Sequence, residues 1–256
     1  MINYIFLNTF LRSPSFIFLD NQYKRIPYIP PYTIDFPRNK KYPTCIGLSE
    51  VFGSFNIRKL SEEYSKYGYS LLVPNSQILV GSGLGFVYSE RDIKVLSTHF
   101  EEFADSSFPD SMSMKGIFHV YIMNRYTNEK IHCIVSHLQC NYGLQKYCFI
   151  QKKQLKQIRN YIKKNIGEEK FVLLADLNVE EKEMLKILQI RDNAYPEEGT
   201  FHNYIMKSTI FDYILTNHSV SSSNIEVLNT MNEKYIHFVD KTVPFISDHF
   251  AISRRI

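Results

Sequence analysis

The sequence predicts a layered α/β body. Three features carry that expectation: short apolar runs recur along the whole chain, one clear helical periodicity lies among them, and no long apolar segment competes with either. The runs are INYIFL from Ile2, CIGL from Cys45, LLV from Leu71, GFVY from Gly85, IFHVYI from Ile117, KIHCIV from Lys130, FVLLA from Phe171, FDYILT from Phe211 and FAIS from Phe250. Segments holding Gly, Pro, Asn, Asp or Ser separate them, so each run reads as a strand ended by a turn or loop.

Between the strands, Leu144, Cys148, Leu155, Ile158, Ile162 and Ile166 approximate one apolar helical face, which predicts a helix from about Leu144 to Ile166 lying on a sheet. A second helix is expected from Glu180 to Leu188, with Glu180, Glu181 and Glu183 near its positive end. Six of the ten prolines (Pro14, Pro27, Pro30, Pro31, Pro37 and Pro43) mark Ser13–Thr44 as an irregular excursion. Glu90–Ser113 reads as a second. Excursions of such length form lids or binding surfaces, or else conceal short helices.

A chain of 256 residues with 44% hydrophobic and 22% charged residues is globular rather than disordered or fibrous. Without a repeat or a Gly/Ser linker, it is expected to form one domain over residues 1–256. Thirty Lys plus Arg against 26 Asp plus Glu leave a formal charge of +4, too mild to choose a substrate. Cys45, Cys133, Cys140 and Cys148 lack zinc-site spacing and are too sparse for a disulfide scaffold, so they read as reduced or buried thiols. The apolar opening is broken by Asn3, Asn8 and Arg12 before a signal-peptide core develops, and is expected to be a buried strand. The chain is therefore expected to be soluble. A cytoplasmic location with peripheral membrane contact is compatible with it, and oligomeric state is left open.

The chemistry-bearing residues stand at or just beyond the ends of apolar runs: Asn8 in FLN, Glu50 in LSE, His137 in VSH, Asp176 and Asn178 in LLADLN, Asp212 in FDYI, and Asp248 with His249 in ISDH. Strand ends can project such side chains onto one rim. Taken singly, each reads equally well as a strand-end hydrogen-bonding group, a surface acid or a local cap. In LLADLN, an extended backbone would place Asp176 and Asn178 on one face and Leu177 on the other.

In this order, the set resembles the endonuclease/exonuclease/phosphatase superfamily across nearly the entire chain. Asn8 matches the Asn of the first strand, Glu50 the Glu of a QEVF-like segment and His137 the His of a THL-like segment. Asp176 and Asn178 match the GDFN-like pair, with Ala175 where Gly is common. Asp212 matches the RLDYI-like strand, and Asp248 with His249 the terminal SDH. The resemblance implies a DNase I-like four-layered α/β sandwich with two central, mostly antiparallel sheets flanked by helices. It also implies metal-assisted phosphodiester hydrolysis.

The neutral sphingomyelinase branch is the most similar: SHLQ matches its THLQ, and DSMSMKG gives a D(x4)KG arrangement of Asp110 and Lys115. Without the resemblance, that pair reads as a turn residue and a solvated charge. By resemblance, Glu50 with Asn8 and Asp248 organises Mg²⁺, for which Mn²⁺ or Co²⁺ can substitute. His249 acts as base oriented by Asp212, while His137 and Asn178 donate to phosphate and Asp176 positions water, metal or leaving group. Asp110 and Lys115 support a loop beside the site. The implied substrate is sphingomyelin or another phosphodiester lipid. Nucleic-acid hydrolysis is the alternative, with the basic helix around Lys152–Lys164 as a backbone track or simply a wet helix face. A catalytically inactive nucleic-acid- or membrane-binding module is the reading of another class. YKRIPYIPPYTIDFP is the sequence's candidate membrane-facing segment, with an ordinary packed loop as its other reading.

Overall fold

The computed structural model describes residues 1–12, 22–36, 41–74, 81–142, 145–179, 182–192, 194–202, 208–218, 224–228 and 246–256. Among them, the chain runs β1 (Asn3–Leu11), α1 (Ile29–Ile34), β2 (Thr44–Val51), α2 (Ser54–Ser65), β3 (Ser70–Leu72), β4 (Gly85–Tyr88) and β5 (Ile93–Glu102). It continues through β6 (Gly116–Asn124), β7 (Lys130–His137), α3 (Gln145–Asn165), β8 (Phe171–Asp176), α4 (Lys182–Leu185), β9 (Phe201–His202), β10 (Ser208–Thr209), β11 (Asp212–Thr216), β12 (Glu226–Leu228) and β13 (Ala251–Arg255). One sheet has the order β12-β13-β1-β2-β4-β3 and the other β11-β8-β7-β6-β5. Each contains one parallel pair, β1 with β2 and β7 with β8, and is otherwise antiparallel.

The two-residue period of the strands sorts side chains into three cores. Tyr4, Phe6, Cys45, Phe86, Phe118, Val120, Cys133, Val135, Leu174 and Ile252 face the space between the sheets. Their neighbours point the opposite way. Ile5, Leu7, Ile46, Leu48 and Val87 meet Tyr32 of α1 and Leu60 and Tyr64 of α2. Ile117, Ile134, Leu173, Tyr213 and Leu215 meet Leu155, Ile158 and Ile162 of α3. Helices, sheet, sheet and helices therefore form four layers, a DNase I-like α/β sandwich.

All nine apolar runs become strands, and α3 occupies nearly the predicted interval. Its buried Leu155, Ile158 and Ile162, followed by Ile166, bear out the expected face, while Leu144 lies outside the described residues. The second helix is shorter than expected, with α4 continuing as a 3-10 turn over Lys186–Leu188; Glu180 and Glu181 also lie outside the described residues. Cys45 and Cys133 are buried free thiols, and Cys140 and Cys148 are free and half-buried. No helix among the described residues is long and apolar enough to cross a membrane.

Of the two readings of the excursions, concealed short helices hold for the described part of the first, and the second needs correction as largely a strand. Within Glu90–Ser113 the chain forms β5, an edge strand pairing only with β6, and most of its side chains reach solvent. An exposed edge has no need of an apolar run, and the irregularity between Val95 and Ser97 further disrupts its alternation. Within Ser13–Thr44 the described part carries 3-10 turns at Gln22–Lys24 and Ile26–Tyr28 and then α1. Pro30 lies in the first turn of α1, where a missing N–H costs no helical bond. Ile26, Ile29, Tyr32 and Phe36 are buried on the outer sheet face, and the buried Arg25 donates to the Phe10 carbonyl. This part is packed structure; residues 13–21 and 37–40 lie outside the described residues.

Gly47 sets how closely the sheets approach. A Cβ built there would lie 2.8 Å from Leu174 Cβ and 3.2 Å from Phe6 Cδ2, so glycine leaves the space that the opposite sheet fills. Gly47→Ala should destabilise the fold by about 1–3 kcal/mol through overpacking. A lower urea midpoint with an unchanged slope would register it; an unchanged midpoint would show that the sheets can separate without cost.

Candidate active site

The row of side chains facing the inter-sheet core turns polar at one end of the sandwich. On β1 the inward series Tyr4 and Phe6 continues to Asn8; on β7, Cys133 and Val135 continue to His137; on β8, Val172 and Leu174 continue to Asp176. On β11, Asp212 precedes inward Ile214. Register then aligns them: His137 lies opposite Asp176 on the parallel β7–β8 pair, and Asp176 opposite Asp212 on β8–β11.

Asn8 bridges the sheets. Its Nδ2 donates to Glu50 Oε1 at 3.1 Å and to Asp176 Oδ2 at 2.9 Å, while its Oδ1 accepts from Phe10 N at 3.0 Å. Phe10 and Glu50 have left-handed φ values of 53° and 56°, conformations costly for such residues, at the two adjacent strand ends. Ser247 Oγ donates to the Asn8 carbonyl at 2.5 Å and accepts from His249 N at 3.1 Å, tying the segment before β13 to β1. Asp248 stands beside it, close enough to Glu50 for the two charges to oppose one another.

His249 Nδ1 is 2.8 Å from Asp212 Oδ2, and its Nε2 is 3.8 Å from Asp176 Oδ2. Phe201 and Phe211 flank the ring, with centroids 5.0 and 6.5 Å away. Burial pulls its pKa down, but the carboxylates of Asp212, Asp176 and Asp248 outweigh burial and push it up to about 10. Burial pushes the Asp176 carboxyl up against the pull of the His249 charge, and Asp212 adds to the rise. Asp248 rises to about 6, chiefly through burial, with His249 opposing and Glu50 reinforcing.

A second buried network adjoins the first. Lys115 Nζ donates to Asp110 Oδ2 at 2.7 Å and to Leu138 O at 2.9 Å, and lies 3.0 Å from His137 Nε2. His137 Nε2 is in turn 3.6 Å from Asp176 Oδ2. Asp110 also accepts from Cys140 N at 2.8 Å and Tyr142 OH at 2.7 Å. Thus Asp110 and Lys115 are brought together, buried, beside the other predicted residues.

Asn178 departs from the extended backbone expected of it. β8 ends at Asp176, whose Oδ1 accepts from Asn178 N at 3.0 Å, and Asn178 turns left-handed with φ 50°. Such local hydrogen bonding is a property of Asp and Asn at chain turns. The Asn178 amide consequently reaches Leu138 O at 3.2 Å, and Gln151 of α3 donates to the Asn178 carbonyl at 2.8 Å. Sequence reading also missed Ser247, Tyr142 and Phe201, which are common residue types in no distinctive motif.

No protein-family model and no curated protein sequence matches the chain. In structure it is similar to a double mutant of beta toxin from Staphylococcus aureus with bound magnesium ions, at 20% identity over 98% of each chain and a TM-score of 0.77. It is similar to sphingomyelinase C from Streptomyces griseocarneus, at 16% identity over 98% of each chain and a TM-score of 0.71. Against the endonuclease/exonuclease/phosphatase from Bacteroides vulgatus the identity is 15%, over 98% of this chain and 97% of that one, with a TM-score of 0.72. The chain thus has the fold of the endonuclease/exonuclease/phosphatase superfamily, and a sphingomyelinase is among the structures it resembles.

Proposed function

We propose that residues 1–256 form one catalytic domain that hydrolyses phosphodiesters with a divalent metal ion, Mg²⁺, and that its substrate is sphingomyelin, cleaved to ceramide and phosphocholine. The observation that carries this reading is the meeting of Asn8, Glu50, His137, Asp176, Asp212 and His249 from separate strand ends in one cluster: Asn8 is hydrogen-bonded to Glu50 and Asp176 and His249 to Asp212, while His137 and His249 lie 3.6 and 3.8 Å from Asp176. The buried Asp110–Lys115 pair and the likeness to sphingomyelinase C support lipid over nucleic acid.

The donor set fits a hard cation. Glu50 and Asp248 offer carboxylate oxygens, with Asn8 Nδ2 holding Glu50 in place, and the carboxyls of Asp248 and Asp176 are raised first by burial and further by the neighbouring Glu50 and Asp212, a setting that a cation would relieve. Asp176, Asp212 and His249 also place ligand atoms within 4.8 Å of one another. That second grouping is the poorer site: His249 uses Nδ1 on Asp212, and its Nε2 is the nitrogen left for proton transfer, so neither ring nitrogen is free for a metal. We therefore assign the ion to Glu50, held by Asn8, and Asp248, with Mn²⁺ or Co²⁺ as substitutes. When bound, the ion supplies missing positive charge, orients water and phosphate, and favours release of the His249 proton.

Neutral His249 takes the proton of the attacking water at Nε2, while Asp212 holds Nδ1 and stabilises the imidazolium. His137 and Asn178 donate to nonbridging phosphate oxygens as negative charge develops, and Asp176 positions water and leaving group.

The membrane-facing surface lies near the Asp110 loop. Phe108, Met112 and Phe149 are 68%, 63% and 62% exposed, too much large apolar surface to ascribe to core packing. Tyr142 joins them, its hydroxyl on Asp110 and its ring 5.4 Å from Tyr147, whose hydroxyl holds Phe108 O. Lys146 and Lys153 share the exposed stripe of α3 with Phe149 and suit anionic headgroups.

Purified protein should release phosphocholine from sphingomyelin in mixed micelles only with Mg²⁺, and His249→Ala should lower that rate by about 10²–10⁴-fold while circular dichroism stays native. Robust cleavage of DNA with no lipid hydrolysis would overturn the substrate. The pair Phe108→Glu and Met112→Glu should weaken sedimentation with phosphatidylserine-containing vesicles on the order of tenfold; undiminished binding would place the lipid surface elsewhere. Asp212→Asn removes the largest of the charges raising the His249 pKa, so the folded imidazole should titrate well below about 10 by nuclear magnetic resonance. An unchanged titration would remove Asp212 from its assigned role.

A further inference from the structure

Lys115 determines more than the shape of its loop. An ammonium has three N–H donors and no acceptor. One is directed to Asp110 Oδ2 at 2.7 Å and one to Leu138 O at 2.9 Å, and His137 Nε2 lies 3.0 Å away for the third. Nε2 must therefore be the acceptor in that contact, which leaves the ring proton on Nδ1. A doubly protonated ring would turn an N–H against the ammonium. Burial and then the Lys115 charge both push the His137 pKa well down, in keeping with a neutral ring.

The remaining geometry holds Lys115 in place. Tyr142 OH and Cys140 N occupy Asp110 on Oδ1 and Oδ2, so the carboxylate that anchors the ammonium is itself fixed. Gly116 follows because β6 begins hard against β5: a Cβ there would meet the Glu101 carbonyl oxygen at 2.3 Å. These contacts give a physical reason for each fixed letter of the D(x4)KG pattern. At the other side of the ring, His137 Nδ1 is buried and has no hydrogen-bond partner among the described residues. A buried donor of this kind calls for an acceptor, which a bound ligand can supply.

We infer that Lys115 is a positioning residue which holds His137 as the neutral Nδ1–H tautomer, and that this N–H is the donor to a nonbridging oxygen of the bound phosphodiester. The tautomer follows from the contacts alone; the donor role rests on the phosphodiesterase reading. The two site imidazoles are consequently pinned in opposite senses. Asp212 takes Nδ1 of His249 and leaves Nε2 for proton transfer, whereas Lys115 takes Nε2 of His137 and leaves Nδ1 to donate.

Long-range proton–nitrogen spectra of the ¹⁵N-histidine-labelled protein test the tautomer in the free, wild-type chain. His137 should show a proton on Nδ1 and a bare Nε2 at neutral pH; a proton on Nε2 would overturn the inference whatever any variant does. Lys115→Arg, still donor-only, should keep the Nδ1–H form, whereas Lys115→Gln brings an amide oxygen that can accept and should raise the Nε2–H population. An unchanged tautomer in folded Lys115→Gln would show that Lys115 does not set it. The donor is tested by turnover: the Asn amide nitrogen occupies roughly the place of Nδ1 and that of Gln the place of Nε2. His137→Asn should therefore retain kcat on the order of tenfold above His137→Gln, and the reverse order would remove the donor role. The Nδ1–H form in a protein that cleaves no phosphodiester would support the tautomer and overturn the function, so the two failures are distinguishable.

Discussion

The two-residue pleat of the strands is the constraint on which the rest depends. A side chain that faces the opposite sheet in the middle of a strand has the same orientation two residues later, so the inter-sheet core and the candidate site are successive stretches of one surface. Tyr4, Phe6 and Asn8 make the point on β1, and Val172, Leu174 and Asp176 on β8. A slip of one residue in either strand would bury the polar group under a helix and turn an apolar one into the site. Hydrophobic burial thereby fixes the position of charged groups that would not assemble by themselves.

Electrostatics at that end run against stability in the protein alone. Buried Asp176 and Asp212 gather with half-buried Asp248 and Glu50, with His249 as counter-charge on one side and Lys115, already committed to Asp110, on the other. Left-handed backbone at Phe10, Glu50 and Asn178 adds local conformational cost in the same neighbourhood. The sandwich that carries these costs is large: three apolar cores lie behind the rim, each formed from residues far apart in sequence.

Much of this was legible in the chain because burial leaves a mark on composition. Strands with both faces covered read as apolar runs, and all nine such runs are strands. The edge strand Ile93–Glu102 left no such mark, because solvent on its outer side accepts polar residues freely. Prolines that looked like loop markers occupy a helix start, where their restricted φ is an advantage. The polar residues at run ends were legible individually, yet contacts such as Lys115 with His137, and the turn that redirects Asn178, depend on register and backbone sign that letters alone do not encode.

The thiols give the layered arrangement a chemical expression. Cys45 belongs to one sheet and Cys133 to the other, both face the space between them, and burial pushes both far above the ordinary thiol range. Neither sulfur can be alkylated while the layers stay together, since the reactive thiolate is disfavoured and a reagent has no route to it. Their modification rate is therefore a built-in clock for parting of the two halves, readable by mass spectrometry against the faster labelling of half-exposed Cys148.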